Sequence, residues 1–196
     1  MGATHCPIDC IRALQESHPD DLADLGNISK ITMEMAEAAL AHGGWDVKRP
    51  VQVLGAQMSD KFVVACQLVD KSVLPPQFSQ QKLDRDIIWE LVDKASCVHN
   101  SQFDKDKAAY RTCVTIEFQD GRAPITVTKE AARGVEPLLS NEEIVAKWRH
   151  MTEGLIDAER RLRIEEMVLG LEKVHDMQAL AKELAGWTRN AMEQNQ

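Results

Sequence analysis

The sequence predicts an α+β domain, a small, mostly antiparallel sheet with a β-hairpin, packed against several helices. Three observations lead there. Residues 113–118 alternate apolar with polar side chains, and a second short run at residues 123–128 follows Gln119-Asp120-Gly121-Arg122. The Asp-Gly pair supplies the positive φ values that a tight hairpin needs. Between them, Met58, Phe62, Ala65 and Val69 form one helical stripe, with Val64 and Leu68 making a second beside it. A helix apolar on so much of its circumference is buried on more than one side. From Ser140 onward the signals are helical, with caps and 3.6-residue spacing.

The elements follow in order. Ile8, Ile11 and Leu14 lie on one helical stripe, and Pro7 suits the first position of that helix, where no amide bond is lost. His5 then stands at or just before a helix N-terminus, where the dipole disfavours imidazolium and favours anions. A helix so close to residue 1 leads to the expectation that further chain precedes it. Residues 28–40 are ambiguous: Ile31, Met33 and Met35 alternate as in a strand, whereas Met33–Ala38 suits a helix by propensity. The stretch from Gly43 contains Gly43, Gly44 and Pro50 and cannot be helical throughout. Ser59 is positioned to cap the buried helix that follows.

Pro75-Pro76 interrupts the chain, and Asp86 is expected to cap an amphipathic helix carrying Ile87, Ile88, Leu91, Val92 and Ala95. Residues 96–99 suit a short strand and residues 100–109 a loop. After the hairpin, Ser140-Asn141-Glu142-Glu143 is a capping box, with Ile144, Trp148 and Met151 as the buried stripe of its helix. A second helix carries Ile164, Met167, Val168 and Leu171. Asp176 opens a third, with Met177, Leu180 and Leu184 buried and Gly186 as the stop. A single domain over residues 1–187, with a polar tail at 188–196, is the expected organisation.

Composition excludes several functions. Hydrophobic residues make up 44% of the 196, enough for a core, and the net charge is −8 with basic residues scattered. A nucleic-acid surface needs clustered cations, so no nucleic-acid partner is expected. No apolar run approaches the ~18 residues of a membrane span, and MGATHCPIDC is unlike a secretory signal; no membrane and a cytoplasmic location are expected. Five cysteines, an odd count, read as reduced thiols. Cys6, Cys10 and His5 raise the question of a metal, but a structural zinc site wants four ligands in paired spacings and no second pair exists. No metal and no cofactor are expected.

Of six histidines, His5 has the best context for acid–base or anion-binding chemistry, set against a capping or surface role. His42 precedes Gly43-Gly44 in a loop, and His18, His150 and His175 look solvated. Lys48-Arg49 suits a carboxylate, or simply water. No Gly-x-Ser-x-Gly elbow or phosphate-binding glycine loop is present.

One set of motifs is more specific. Arg49-Pro50, then Gly55-Ala56-Gln57-Met58-Ser59, then an apolar helix ending Gln67-Leu68-Val69-Asp70, resembles the C-terminal domain of the MmgE/PrpD family. That family includes 2-methylcitrate dehydratases and cis-aconitate decarboxylases, and the likeness is nearest to the fungal decarboxylases. Thr4-His5-Cys6-Pro7-Ile8-Asp9, the Asp-Gly hairpin, Gly134 to Ile144 and Lys147-Trp148-Arg149 extend the resemblance over roughly residues 2–185. It implies a strand at residues 28–38 and a lyase acting on a citrate- or aconitate-like acid. His5 matches an active-site histidine; Arg49, Gln57 and Ser59 would support substrate binding; no metal is needed.

The chain also departs from the family. Members carry a helical N-terminal domain that supplies an Asp-Asp-x-His type motif, a lysine and most dimer contacts, and a second lysine a few residues before the histidine matching His5. None of these is present. A family tyrosine near residues 44–50 has no match; Trp45 or Asp46 stands there, and the only tyrosine, Tyr110, lies elsewhere. The expectation is therefore a lyase part that needs a separate or missing helical domain, a partner chain or self-association. The alternative is a stand-alone, non-catalytic or repurposed lid domain that binds a partner protein or a small carboxylic acid.

Overall fold

The computed structural model describes residues 2–105, 110–135 and 138–193. The chain forms two compact units, residues 1–138 and 139–196. Each is described by itself.

The first unit carries the sheet and confirms the α+β class. Helix α1 (Gly2–Ser17) is followed by strand β1 (Ile28–Met35), helices α2 (Glu37–Gly43), α3 (Val53–Gln57) and α4 (Asp60–Asp70), then α5 (Gln80–Leu83), α6 (Asp86–Lys94), β2 (Ala95–His99), β3 (Thr112–Phe118) and β4 (Ile125–Lys129). The strand order is β2-β1-β3-β4. β1 pairs in parallel with β2 and antiparallel with β3, and β3–β4 is the hairpin, with Gly121 at φ 77° in its turn. Val114, Ile116 and Phe118 are buried on one face, as their alternation requires.

The ambiguous segment is both things in turn. Residues 28–35 are strand, with Ile28, Ile31, Met33 and Met35 all buried, because β1 is paired along both edges. The strand stops before residue 38: Glu37 and Ala38 are already helical. Two expected helix starts also move. α1 begins at Gly2, so Pro7 lies inside it. The ring forfeits a single bond to the Ala3 carbonyl, which the packing of Ala3, Cys6, Cys10, Ile11 and Leu14 outweighs. Arg85, not Asp86, is the residue before α6, and Asp86 is its first member.

α4 is the centre of this unit. Phe62, Val63, Val64, Ala65, Cys66, Gln67 and Leu68 are all buried; of the predicted stripes, Phe62, Ala65, Val64 and Leu68 are buried, whereas Val69 is half-buried and Met58 lies before the helix at the end of α3. Phe62 packs edge-on against Trp89 of α6 with centroids 5.7 Å apart, and stacks on Phe78 at 6.3 Å. On the side of α1, Gln15 and Gln67 bond reciprocally: Gln15 Nε2 donates to the Gln67 and Leu68 carbonyls at 3.1 and 3.2 Å, and Gln67 Nε2 to Gln15 Oε1 at 2.9 Å.

The second unit contains α7 (Asn141–Thr152), α8 (Ala158–Leu169) and α9 (Met177–Ala185). The Ser140–Glu143 capping box is formed, and Asp176 caps α9, which ends at Gly186. The apolar stripes are less buried than their spacing suggests. α7 has no buried residue, with Ile144 and Met151 exposed, and Val168, Met177 and Leu184 are exposed as well. Leu171 lies beyond α8 in a 3₁₀ turn. Three short helices enclose little volume, so Ile164 and Leu180 alone among the apolar positions reach the interior. The remaining interior is polar: the Arg160 guanidinium donates to the carbonyls of Glu183, Gly186 and Trp187. Of the loop read at 100–109, residues 106–109 lie outside the described residues, as do 136–137 and the tail end 194–196.

Replacing Phe62 with Ala removes an aromatic group that touches two other rings in a fully buried site. Unfolding in urea is expected to show a loss of about 3–5 kcal/mol.

Candidate functional site

His5 lies in the first turn of α1 and is exposed. The helix is placed by two thiols on its inner face. Cys6 Sγ donates to the Lys129 carbonyl and Cys10 Sγ to the Thr112 carbonyl, each at 3.5 Å. Thr112 pairs with Lys129 across the hairpin and with Met35 across β1, and Met35 pairs with His99. These residues mark one end of the sheet, and His5 stands over it. Burial pushes the Cys6 thiol up to about 11 and raises Cys10 as well, so both are inert packing groups.

Tyr110 stands at the same end. Its phenol packs against Gly2, with ring and hydroxyl atoms 3.6 Å from where a Cβ would be. Gly2 and His5 are three apart on the helix and so are neighbours on its surface. In the sequence Tyr110 is far along the chain from residues 44–50, where the family tyrosine is expected. Pairing of β3 with its neighbours is what returns it to the first turn of α1.

The loop of residues 44–59 also reaches this end. A Cβ at Gly44 would lie 3.1 Å from Cβ of Cys97, two residues before the end of β2. The loop forms an open concavity of about 650 Å³, lined by His42, Trp45, Pro50, Gln52, Leu54 and Met58 among others. A second cleft, of about 270 Å³, runs between α1 and the residues after β4 and is lined by Asp9, Arg12, Lys129 and Arg133. Asp9 organises it, accepting from Arg12 at 3.1 Å and from the Arg133 amide at 2.7 Å.

The other expected site residues are placed less simply. Arg49 is drawn to the turn before α6. Its Nε donates to Asp84 Oδ1 at 2.5 Å, Nη1 to Asp86 Oδ1 at 2.7 Å and Nη2 to the Asp84 carbonyl at 2.6 Å. These bonds raise its pKa and hold Asp84 below the usual carboxylate range. Arg49 therefore anchors the loop in this structure. Ser59 is fully buried and caps α4, accepting from the Phe62 amide at 3.4 Å. Gln57 ends α3 and is half-buried two residues before that cap. His5 and the start of α4 thus share an end of the unit, while the Arg49 guanidinium is engaged by Asp84 and Asp86.

Asp60 was not singled out from sequence. It is 0% exposed, neither oxygen has a hydrogen-bond partner among the described residues, and burial pushes it up to about 7. The signal was Gly43: a glycine is required there because a Cβ would meet an Asp60 oxygen at 2.3 Å. Among the described residues no group of three or more His, Cys, Asp or Glu is placed to hold a metal ion.

A sequence model of the MmgE/PrpD C-terminal domain matches residues 1–173. The chain belongs to the MmgE/PrpD family. Two fungal relatives are similar over nearly all of this family member. The cis-aconitate decarboxylase-like protein oryM of Aspergillus oryzae is 38% identical over 189 residues, 95% of this chain and 39% of that protein. A cis-aconitate decarboxylase of Aspergillus terreus is 35% identical over 185 residues, 91% of this chain and 38% of that protein. This MmgE/PrpD domain therefore spans about two fifths of the length of the relatives it matches. No described helix is long and apolar enough to cross a membrane.

Two outcomes follow from the geometry. Ser59→Ala removes the cap of α4 and is expected to lower stability by about 1 kcal/mol in urea unfolding. Arg49→Gln releases Asp84, whose carboxyl resonance should then titrate at higher pH than in the unaltered chain.

Proposed function

We propose that this chain is the C-terminal part of a MmgE/PrpD-type lyase that dehydrates or decarboxylates a citrate- or aconitate-like acid, working with a helical domain from elsewhere in the protein or from a partner chain. The observation that carries the reading is the match of nearly the whole chain to about two fifths of a cis-aconitate decarboxylase and of a decarboxylase-like protein. His5 supports it by position. It is exposed in the first turn of a 16-residue helix, where the dipole favours a substrate carboxylate and a neutral imidazole.

The chemistry asks little else of this domain. Loss of CO2 from a carboxylate leaves an electron pair on carbon, which a positioned acid protonates; dehydration begins with removal of a proton beside a carboxylate. An imidazole suits either transfer near neutral pH. In this reading His5 moves the proton or binds a carboxylate, and Gln57 contacts substrate from the end of α3. Ser59 and Arg49 act in support, one by starting α4 and the other by tying the loop to Asp84 and Asp86. Acid–base groups act as a unit, so His5 without its partners gives little turnover.

A second reading has its own observation. Ile144, Leu162, Val168, Leu184 and Trp187 of the second unit are exposed. Exposed apolar residues of this number suit a lid domain that associates with another protein or a second copy.

Titrating labelled chain with cis-aconitate, followed by NMR, is expected to perturb His5 and its neighbours in α1 and to leave β1 untouched; an unperturbed His5 would sink the lyase reading. The purified chain is expected to show negligible decarboxylase or dehydratase turnover, and robust turnover would remove the need for a second domain. Light scattering separates the second reading, since a clean monomer at high concentration counts against self-association.

A further inference from the structure

The loop of residues 44–59 packs on the first unit through Val47 and Ala56 and is tied by Arg49 to Asp84 and Asp86, and its two ends meet at one place. Gly43 ends α2 before the loop and Asp60 opens α4 after it, and the two touch: a Cβ on Gly43 would stand 2.3 Å from one Asp60 oxygen and 2.8 Å from the other. Two more contacts cross the same neck. Trp45 Nε1 donates to the Met58 carbonyl at 3.2 Å, and the Lys61 ammonium pairs with Asp46. A segment of this length with its ends together, here including the short helix α3, resembles an Ω-loop, a form often used functionally.

Asp60 is the unexplained member of the neck. Its side chain is wholly buried, and neither oxygen is bonded among the described residues. An unpaired carboxylate is among the least tolerable groups to bury, whereas the protonated acid is tolerated far better. Among the described residues, the groups around it offer no compensating charge. Cys97 of β2 is a thiol that burial pushes up to about 12, so it stays neutral. Lys61 and Asp46 are occupied with each other. His42, beside Gly43 on α2, bonds through Nδ1 to the Ala38 carbonyl.

We propose that Asp60 is a positioning residue for the acid site: uncharged, its carboxyl fills the neck against Gly43 and holds the 44–59 loop closed on the end of the sheet that carries His5, and on ionising it draws in water and the neck parts. The inference rests on the reading that this loop walls an acid site, but its test uses no acid. In the open loop Asp60 is hydrated and titrates near the ordinary Asp value of about 4. In the closed loop burial holds it at about 7. The closed form binds the extra proton between those values. Closure is therefore fully favoured below about pH 4, weakens as the pH rises, and is constant again above about 7. The opening equilibrium should rise close to tenfold per pH unit within that window, because one unit of pKa difference is a tenfold change in the equilibrium.

Amide hydrogen exchange of the full 196-residue chain between pH 5 and pH 8, corrected for intrinsic base catalysis, tests this. Residues 44–59 should show that near-tenfold rise per unit up to pH 7 and then a plateau, Asp60→Asn should be flat, and Asp46→Asn should keep the slope. The same slope in Asp60→Asn overturns the proposal, as does a slope shared equally by β1 and β3, which would mean whole-unit unfolding. Should Asp60→Asn fail to fold, the Asp60 carboxyl carbon of the unaltered chain decides: a midpoint near 7 supports the clamp, and one near 4 overturns it. A slope without any cis-aconitate perturbation at His5 leaves the clamp standing and removes the lyase reading, and the converse result does the reverse.

Discussion

Seven consecutive residues of α4, Phe62 to Leu68, are buried, so the helix has almost no solvent side and every neighbour must be supplied by another part of the chain. α1 supplies one wall through the Gln15–Gln67 pair, α6 another through Trp89, and the 3₁₀ turn at Phe78 a third. This burial is the constraint on which the first unit depends. It leaves Gln67 Nε2 to find Gln15 inside the protein, with Gln67 Oε1 unpartnered among the described residues, and it makes the start of the helix a place where polar groups are desolvated. Ser59 answers that with a cap. Asp60 has no such answer, and the closeness of Gly43 is the geometric record of it.

The same constraint explains why a site can form at the end of the sheet. A helix buried on all sides must be entered by a loop, and residues 44–59 are that loop. They approach Cys97 near the end of β2, and the thiols of α1 hold the first turn of that helix to β3 and β4 at the corresponding end. His5, Tyr110 and the neck of the loop come from parts of the chain about fifty residues apart, but the strand pairing brings them to one edge. Arg49 is tied by two carboxylates, so its place in the loop is that of an anchor. The second unit contrasts with the first. Its interior holds Ile164 and Leu180 and the Arg160 guanidinium on three carbonyls, and many of its other apolar side chains are exposed. That suits a unit whose surface meets other protein, in a family whose fungal members here are more than twice as long.

Much of this was legible in the order of residues. The hairpin, the buried helix with its Ser59 cap, the capping box at Ser140 and the Asp176 start all depend on contacts within a few residues, and local chemistry determines those. The resemblance to the MmgE/PrpD family and the choice of His5 rested likewise on motifs readable along the chain. What the residues could not decide locally was whether 28–40 is strand or helix, that α1 begins at Gly2, ahead of Pro7, and whether the stripes of α7 and α9 are covered. Each depends on what lies alongside. β1 is a strand because β2 and β3 bond to both its edges, and Ile144 is exposed because three short helices enclose too little volume.

By itself, then, the sequence determined the α+β class, the caps at Ser59, Ser140 and Asp176, the hairpin and the histidine at the head of a helix, because these follow from spacing and from the backbone preferences of single residues. Only the tertiary structure decided that Tyr110 returns to His5's end of α1, that Arg49 is held by Asp84 and Asp86, and that Asp60 is sealed against Gly43 with no hydrogen-bond partner among the described residues. Those facts turn on distance and desolvation between segments remote in sequence, and a carboxyl near solvent and one sealed behind a glycine are written with the same letter.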